Sequence, residues 1–297
     1  MENAKQDEDP QAPGSSARTL EAVMVERELL AAALPTKVIG YMDMLGFGAL
    51  GRKHPGSFNV EVSEDGSRVG TSTSKSSERF GRFHTVLDRM AMNFVDATHP
   101  ERMMIFSDCA FAVYDNALQA AVSLSQAMRH FLSLTIPVRM CIAKGTCHYE
   151  RFSIEFFNSF NLTRSIFYGS GIVYAVAGEE NSGPGCRIFL HDTLEVADRQ
   201  LIEGRLTILP LPTRSGHAQY ELNYLHEPEP VTEGDPEKND IGIFAGLAAL
   251  RSELREPIRP EVLAQYDESF ALFNRMRARL GRYEIRPPTF DANGQPT

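Results

Sequence analysis

The 297-residue chain has no tryptophan and only four cysteines, Cys109, Cys141, Cys147 and Cys186. None forms a CxxC pair, and most sit in apolar, strand-like runs. The expectation is therefore reduced, buried thiols in a cytoplasmic protein rather than a disulfide framework. No apolar run approaches the ~18 residues that span a bilayer. The stretch Met1–Pro10 lacks the basic and apolar regions of a signal peptide. The eight histidines show no HxH or HxxxH spacing, which argues against zinc. No GxxxxGK[ST] loop is present, which excludes a P-loop nucleotidase, and there is no GxSxG elbow. Basic residues are also scarce, 30 Lys and Arg against 39 Asp and Glu, for a net charge of −9. That balance argues against a duplex nucleic-acid partner, whose phosphates most of the surface would repel.

What the chain does have is two carboxylates set into apolar runs that otherwise ask for burial. The first is Asp43 in Val38–Ile39–Gly40–Tyr41–Met42–Asp43–Met44–Leu45–Gly46–Phe47. That run reads as a strand ending in an acid and then a glycine-bearing turn. The second is Asp108 in Met103–Met104–Ile105–Phe106–Ser107–Asp108–Cys109–Ala110–Phe111, an apolar run broken by Ser-Asp as a hairpin would be. Two such acids at the rim of one sheet can hold a divalent metal, and backbone amides beside them suit a triphosphate. Taken singly, Asp43 reads equally well as a helix cap and Asp108 as a turn residue.

Along the chain, residues 1–17 are polar and read as disordered, and 18–34 form an amphipathic helix. A strand follows near 37–42. Residues 51–77, rich in Gly, Ser and charge, read as an exposed insertion. The helical spacing of Phe80, Phe83, Val86, Leu87, Met90 and Phe94 predicts a helix over 77–97. Next come the Asp108 hairpin, a helix capped by Asp115 or Asn116, and a strand over 137–146. A loop, a short helix over 169–180 and a strand over 186–191 complete this part. Short strands near 206–209 and 219–224, a linker from 227 and two C-terminal helices finish the chain. The order predicts an α+β domain over 35–226, an antiparallel or mixed sheet with helices on one face, followed by a helical extension over 227–297.

Residues 38–191 resemble the catalytic domain of class III nucleotidyl cyclases, which have a ferredoxin-like βαββαβ core. Asp43–Met44–Leu45–Gly46–Phe47 fits the metal-binding strand end of that family, and Ser107–Asp108–Cys109 fits its hairpin. Arg139–Met140–Cys141–Ile142–Ala143–Lys144–Gly145 echoes an Arg-x-x-Ile-x-x-Gly strand. The resemblance implies cyclisation of a nucleoside triphosphate by two Mg²⁺ or Mn²⁺ ions per site, in a head-to-tail homodimer. Asp43, Asp108 and the Met44 carbonyl would hold the metals, and the amides of Leu45, Gly46 and Phe47 the phosphates. Family Asn and Arg positions, which contact the ribose and the reacting phosphate, fall on Tyr174 and Gly178. Base-reading positions fall on Met104 and near Ile166 or Phe167, all apolar. With Gly178 at the Arg position, Arg187, Lys144 and Arg164 are the candidate cations; Arg139, inside a strand, reads as structural.

Loss of the purine-reading residues looks like the Pycsar-type pyrimidine cyclases of bacterial antiphage defence. That likeness implies UTP as substrate, cyclic UMP as product and a downstream cyclic-nucleotide-sensing effector; charge balance and the lack of long apolar runs predict neither nucleic acid nor membrane as partner. Cytidylate or purine cyclisation remains open, as does a degenerate domain that only binds nucleotide or dimerises.

Overall fold

The structure is a computed structural model, and it describes residues 34–47, 58–62, 68–72, 74–92, 100–156, 160–215, 217–226, 236–253, 259–287 and 289. The expected disordered terminus 1–17, almost all of the helix expected over 18–34 and much of the 51–77 insertion lie outside them. Within that insertion, β2 (Phe58–Val62) and β3 (Arg68–Ser72) pair as a hairpin.

Strand β1 (Thr36–Met44) lies in a seven-stranded sheet and is apolar on both faces. Val38, Met42 and Met44 point into the larger core, whereas Ile39 and Tyr41 point into a smaller core on the other side. A strand buried on both faces reads as a continuous apolar run, which is why the sequence shows no clean alternation here. From β1 the chain passes through α1 (Lys75–Met92) to the hairpin β4 (Arg102–Ile105) and β5 (Cys109–Tyr114). Helix α2 (Ala117–Ser133) follows, its N-terminus closed by Asn116, whose side chain accepts from the Gln119 N–H at 3.0 Å. Strand β6 (Val138–Thr146) then returns beside β1, giving the order β6-β1-β5-β4 with antiparallel neighbours throughout. This is the βαββαβ arrangement the element order predicts.

Beyond β6 the structure adds elements the sequence left as loop. Strands β7 (His148–Phe156) and β8 (Phe160–Tyr168) form a long hairpin. Helix α3 (Ser170–Asn181) leads to β9 (Ile188–His191), which pairs with β6 in parallel. Helix α4 (Val196–Glu203) was not foreseen, and β10 (Ile208–Ser215) and β11 (Ala218–Leu222) complete the mixed sheet in the order β10-β11-β9-β6-β1-β5-β4. The fold is thus mixed α+β. Its helices, however, are not all on one face. Residues of α1, α2, α4, α5 (Pro236–Ser252) and α6 (Pro260–Arg279) share the larger core. Ile172 and Ala175 of α3 pack instead against Ile39, Tyr41 and Ala143 on the opposite side. A parallel β6–β9 pair needs a crossover, and α3 supplies it on the face left open. Among the described residues no helix is long and apolar enough to cross a membrane.

The C-terminal helices are tied to the sheet by charge as well as by apolar packing. Arg187, 4% exposed, donates from Nε to Glu221 on β11 at 2.6 Å and lies 3.2 Å from Glu268 on α6. Arg275 of α6 reaches both Glu268, at 2.8 Å, and Glu221, at 3.5 Å. Glu221 is fully buried, so removing its principal cation leaves a charge with poor solvation. Arg187→Ala is expected to destabilise the fold by about 3–5 kcal/mol, the usual cost of breaking a buried ion pair from one side. Urea unfolding of the purified variant against wild type measures it.

Candidate active site

Asp43 comes last among the residues of β1 that face the α3 side, two after Tyr41 and four after Ile39. Its neighbours across the sheet are Cys109 on β5 and Arg139 on β6. Asp108 sits immediately before β5, and its carbonyl accepts the Met44 N–H at 2.9 Å. The Ser107 hydroxyl donates to the Asp108 carboxylate at 2.9 Å. The two acids, distant in the chain, therefore meet at one end of the sheet. Burial first, and then the negative charge of Asp108, push the Asp43 carboxyl from the usual 3.8 up to about 6, while Arg139 opposes the rise.

Arg139 alternates with Val138 and Met140, which face the larger core, so its own side chain comes out on the Asp43 face. Its Nε–H donates to Glu179 on α3, and one terminal N–H donates to the Gly183 carbonyl at 3.2 Å. Glu179 is 2% exposed, and burial raises its carboxyl despite the guanidinium beside it. Burial raises the proton affinities of both Tyr41 and Cys109. The site thus holds two carboxylates and one guanidinium, with a third carboxylate, Glu179, bracing the guanidinium from behind.

Hard oxygen donors at the ends of adjacent strands, with Asp43 destabilised by the charge of Asp108, fit Mg²⁺ or Mn²⁺. Among the described residues no group of three or more His, Cys, Asp or Glu side chains is arranged around an ion. A two-carboxylate site of that kind suits an ion whose remaining ligands are water and phosphate oxygens.

The other expected site residues divide by place. Gly46 adopts φ +73° in the turn after β1, a left-handed conformation that glycine favours. The Leu45 N–H, expected to hold phosphate, donates instead to the Pro137 carbonyl at 2.9 Å, which leaves the amides of Gly46 and Phe47 for that task. Met104 and Phe167 meet in the smaller apolar core with Phe111, and the Phe111 and Phe167 ring centroids are 5.3 Å apart. Tyr174 on α3 is partly exposed and stacks on His191 at 5.3 Å.

The expected cations stand elsewhere. Arg187 is engaged by Glu221 and Glu268, as described above. Lys144 pairs with Asp198 at 2.9 Å. It lies five residues along β6 from Arg139, roughly 17 Å at ~3.4 Å per residue. The side chain of Arg164, on β8, lies outside the described residues. Nor is there room for an arginine at position 178. A Cβ on Gly178 would stand 2.5 Å from Cys141 Sγ and 3.0 Å from His191 Cδ2, so α3 approaches the sheet only with glycine there. The residue sequence reasoning passed over is Arg139. Its parity with Cys141 and Ala143, opposite to that of the large apolar residues of β6, was the available signal, but only the β1–β6 register ties it to Asp43.

No protein-family model and no curated protein matches the chain. Solved structures do resemble it. An adenylate cyclase from Trypanosoma brucei in its monomeric state aligns at 11% identity and TM-score 0.41, covering 65% of this chain and 90% of its own. The guanylyl cyclase Cya2 aligns at 10% identity and TM-score 0.38, covering 64% of this chain and 92% of its own. With TM-scores below 0.5 these likenesses add no weight to the site, which stands on its own side chains.

Because the native state holds the Asp43 proton more tightly than the unfolded chain does, ionisation of Asp43 opposes folding. The penalty is absent below pH ~4, grows as pH rises through about 6 and is complete above it. In chelator, Asp43→Asn is expected to be more stable than wild type at pH 8, on the order of 1 kcal/mol after allowing for residual solvent contact, and equal to it at pH 3.5. Thermal unfolding of both proteins across that range gives the answer.

Proposed function

We propose that the protein is a class III-like nucleotidyl cyclase that converts a nucleoside triphosphate into a 3′,5′-cyclic mononucleotide and pyrophosphate. The observation that carries this reading is the meeting of Asp43 and Asp108 on one sheet rim with Arg139 beside them. In the reaction the ribose 3′-oxygen attacks the α-phosphorus and pyrophosphate leaves. Asp43 and Asp108, with the Met44 carbonyl, would hold divalent ions, which would supply a Lewis acid to acidify the 3′-hydroxyl and neutralise phosphate charge. Arg139 is aimed at the same face and neutralises phosphate charge on the bound triphosphate, in the ground state and the transition state alike. Glu179 holds its planar fork in one orientation, and two of its five donors are engaged by Glu179 and Gly183. Gly46 and Phe47 offer backbone N–H groups at the turn after β1, next to both carboxylates.

The nucleotide is proposed to be UTP, giving cyclic UMP as a second messenger for an effector in antiphage defence. The apolar character of Met104 and Phe167 supports a base held without the polar edge contacts of a purine reader. A homodimer is proposed as the working form, with Tyr174 on the exposed side of α3 at the ribose position of the partner's site. The domain is taken as 35–226, with 227–297 as a C-terminal helical extension.

Incubation of the purified protein with Mn²⁺ and ATP, GTP, CTP or UTP, with detection of pyrophosphate and cyclic product, tests the reading. UTP is expected to turn over fastest, and Asp43→Ala or Asp108→Ala to lower the rate by at least a hundredfold while the protein stays folded. Undiminished turnover by the double variant would overturn the metal assignment, and equal inertness towards all four nucleotides would leave a nucleotide-binding or dimerisation module.

A further inference from the structure

The loop between α3 and β9 touches the proposed active site at one end and helix α6 at the other. At the site end, the Gly183 carbonyl accepts from Arg139 at 3.2 Å. Two residues on, the Gly185 N–H donates to Gln265 Oε1 of α6 at 2.6 Å, and the Cys186 N–H donates to Ser269 Oγ at 2.9 Å. Ser269 Oγ donates in turn to the Gln265 carbonyl, and Arg187, the next residue, reaches Glu268. Three consecutive residues of the loop are therefore gripped by three side chains on one turn and a half of α6. Gly183 and Gly185 have φ of +114° and +103°, so the loop's path is one that most residues would not follow unaided.

A loop built on two left-handed glycines has little local preference for a single shape. Its shape here is imposed from α6, a helix that lies outside the segment carrying the carboxylates. We propose that Gln265 and Ser269 are positioning residues: by fixing residues 183–186 they hold the Gly183 carbonyl where it orients Arg139 beside Asp43. The C-terminal helix is on this view a working part of the site rather than an appended module, and any ligand or partner that shifts α6 acts on Arg139. The inference rests on the cyclase reading only for the reaction used to observe it.

The test uses Gln265→Ala in the full chain, with Gln265→Glu as the variant that keeps an acceptor oxygen. Alanine is a good helix former, and Gln265 is only partly buried, so folding should survive. Hydrogen exchange of the peptide spanning 183–187 is expected to accelerate in Gln265→Ala. The KM for the nucleotide should rise about fivefold with kcat within twofold, the pattern of a contact made equally in ground and transition states. Gln265→Glu should restore both. Unchanged exchange would overturn the inference, and so would faster exchange with an unchanged KM. If the wild-type protein turns over no nucleotide, the cyclase reading fails by itself. The inference is then decided by the affinity for inorganic triphosphate, expected about fivefold weaker in Gln265→Ala and overturned if equal.

Discussion

Asp43 is held beside Asp108 at one rim of the sheet at an energetic disadvantage. Burial and the negative charge of Asp108 both act against its ionised form, and the Arg139 guanidinium offsets part of that cost. Such an arrangement is poor for stability and useful for holding cations, as strained or unfavourable groups at functional sites generally are. The geometry that enforces it is simple. Antiparallel pairing of β1 with β5 puts Asp43 opposite Cys109, and the hairpin then delivers Asp108 next to Met44.

The cation of the site comes from the sheet as well. Helix α3 lies too close to β6 and β9 for any side chain at 178, because Cys141 and His191 occupy the space. A guanidinium cannot reach the carboxylates from that position on the helix. Arg139, on the strand, takes up the place beside Asp43, and the helix contributes Glu179 as its brace. Tyr174, one turn earlier, packs over His191 and keeps a partly exposed ring. Gly178 and Tyr174 thus both meet His191 across one tight helix–sheet contact.

The same contact explains why the C-terminal helices matter to the fold. The chain leaves α3 through a glycine-rich loop with little preference of its own, and α6 supplies the missing constraints through Gln265, Ser269 and Glu268. Beyond the loop, Arg187 joins β9 to β11 and α6 through buried charge. Phe270, Leu272, Phe273 and Met276 of α6 also enter the core shared by α1 and α2. Residues 35–297 form one compact unit on this account, with α5 and α6 as structural members of it.

Local chemistry was enough to read β1, the Asp108 hairpin, the Asn116-capped helix and β6 from the amino-acid order, because each rests on periodicity, a cap or a polar break in an apolar run. The β7–β8 hairpin escaped, since no glycine lies between its strands to signal a turn, although Phe152, Ile154 and Phe156 alternate with polar residues, and α4 escaped because it is short and polar. The sequence also singled out Asp43 and Asp108, as acids where burial was expected. It could not decide which face each residue takes or which cation stands beside them, because those depend on strand register. Pairing of Asp43 with Arg139 across β1 and β6, and engagement of Arg187 and Lys144 by carboxylates on β11 and α4, arise only when distant segments meet. Residue identity set the chemistry available to this protein, and tertiary packing, through side-chain parity and close approach, decided which groups share a site.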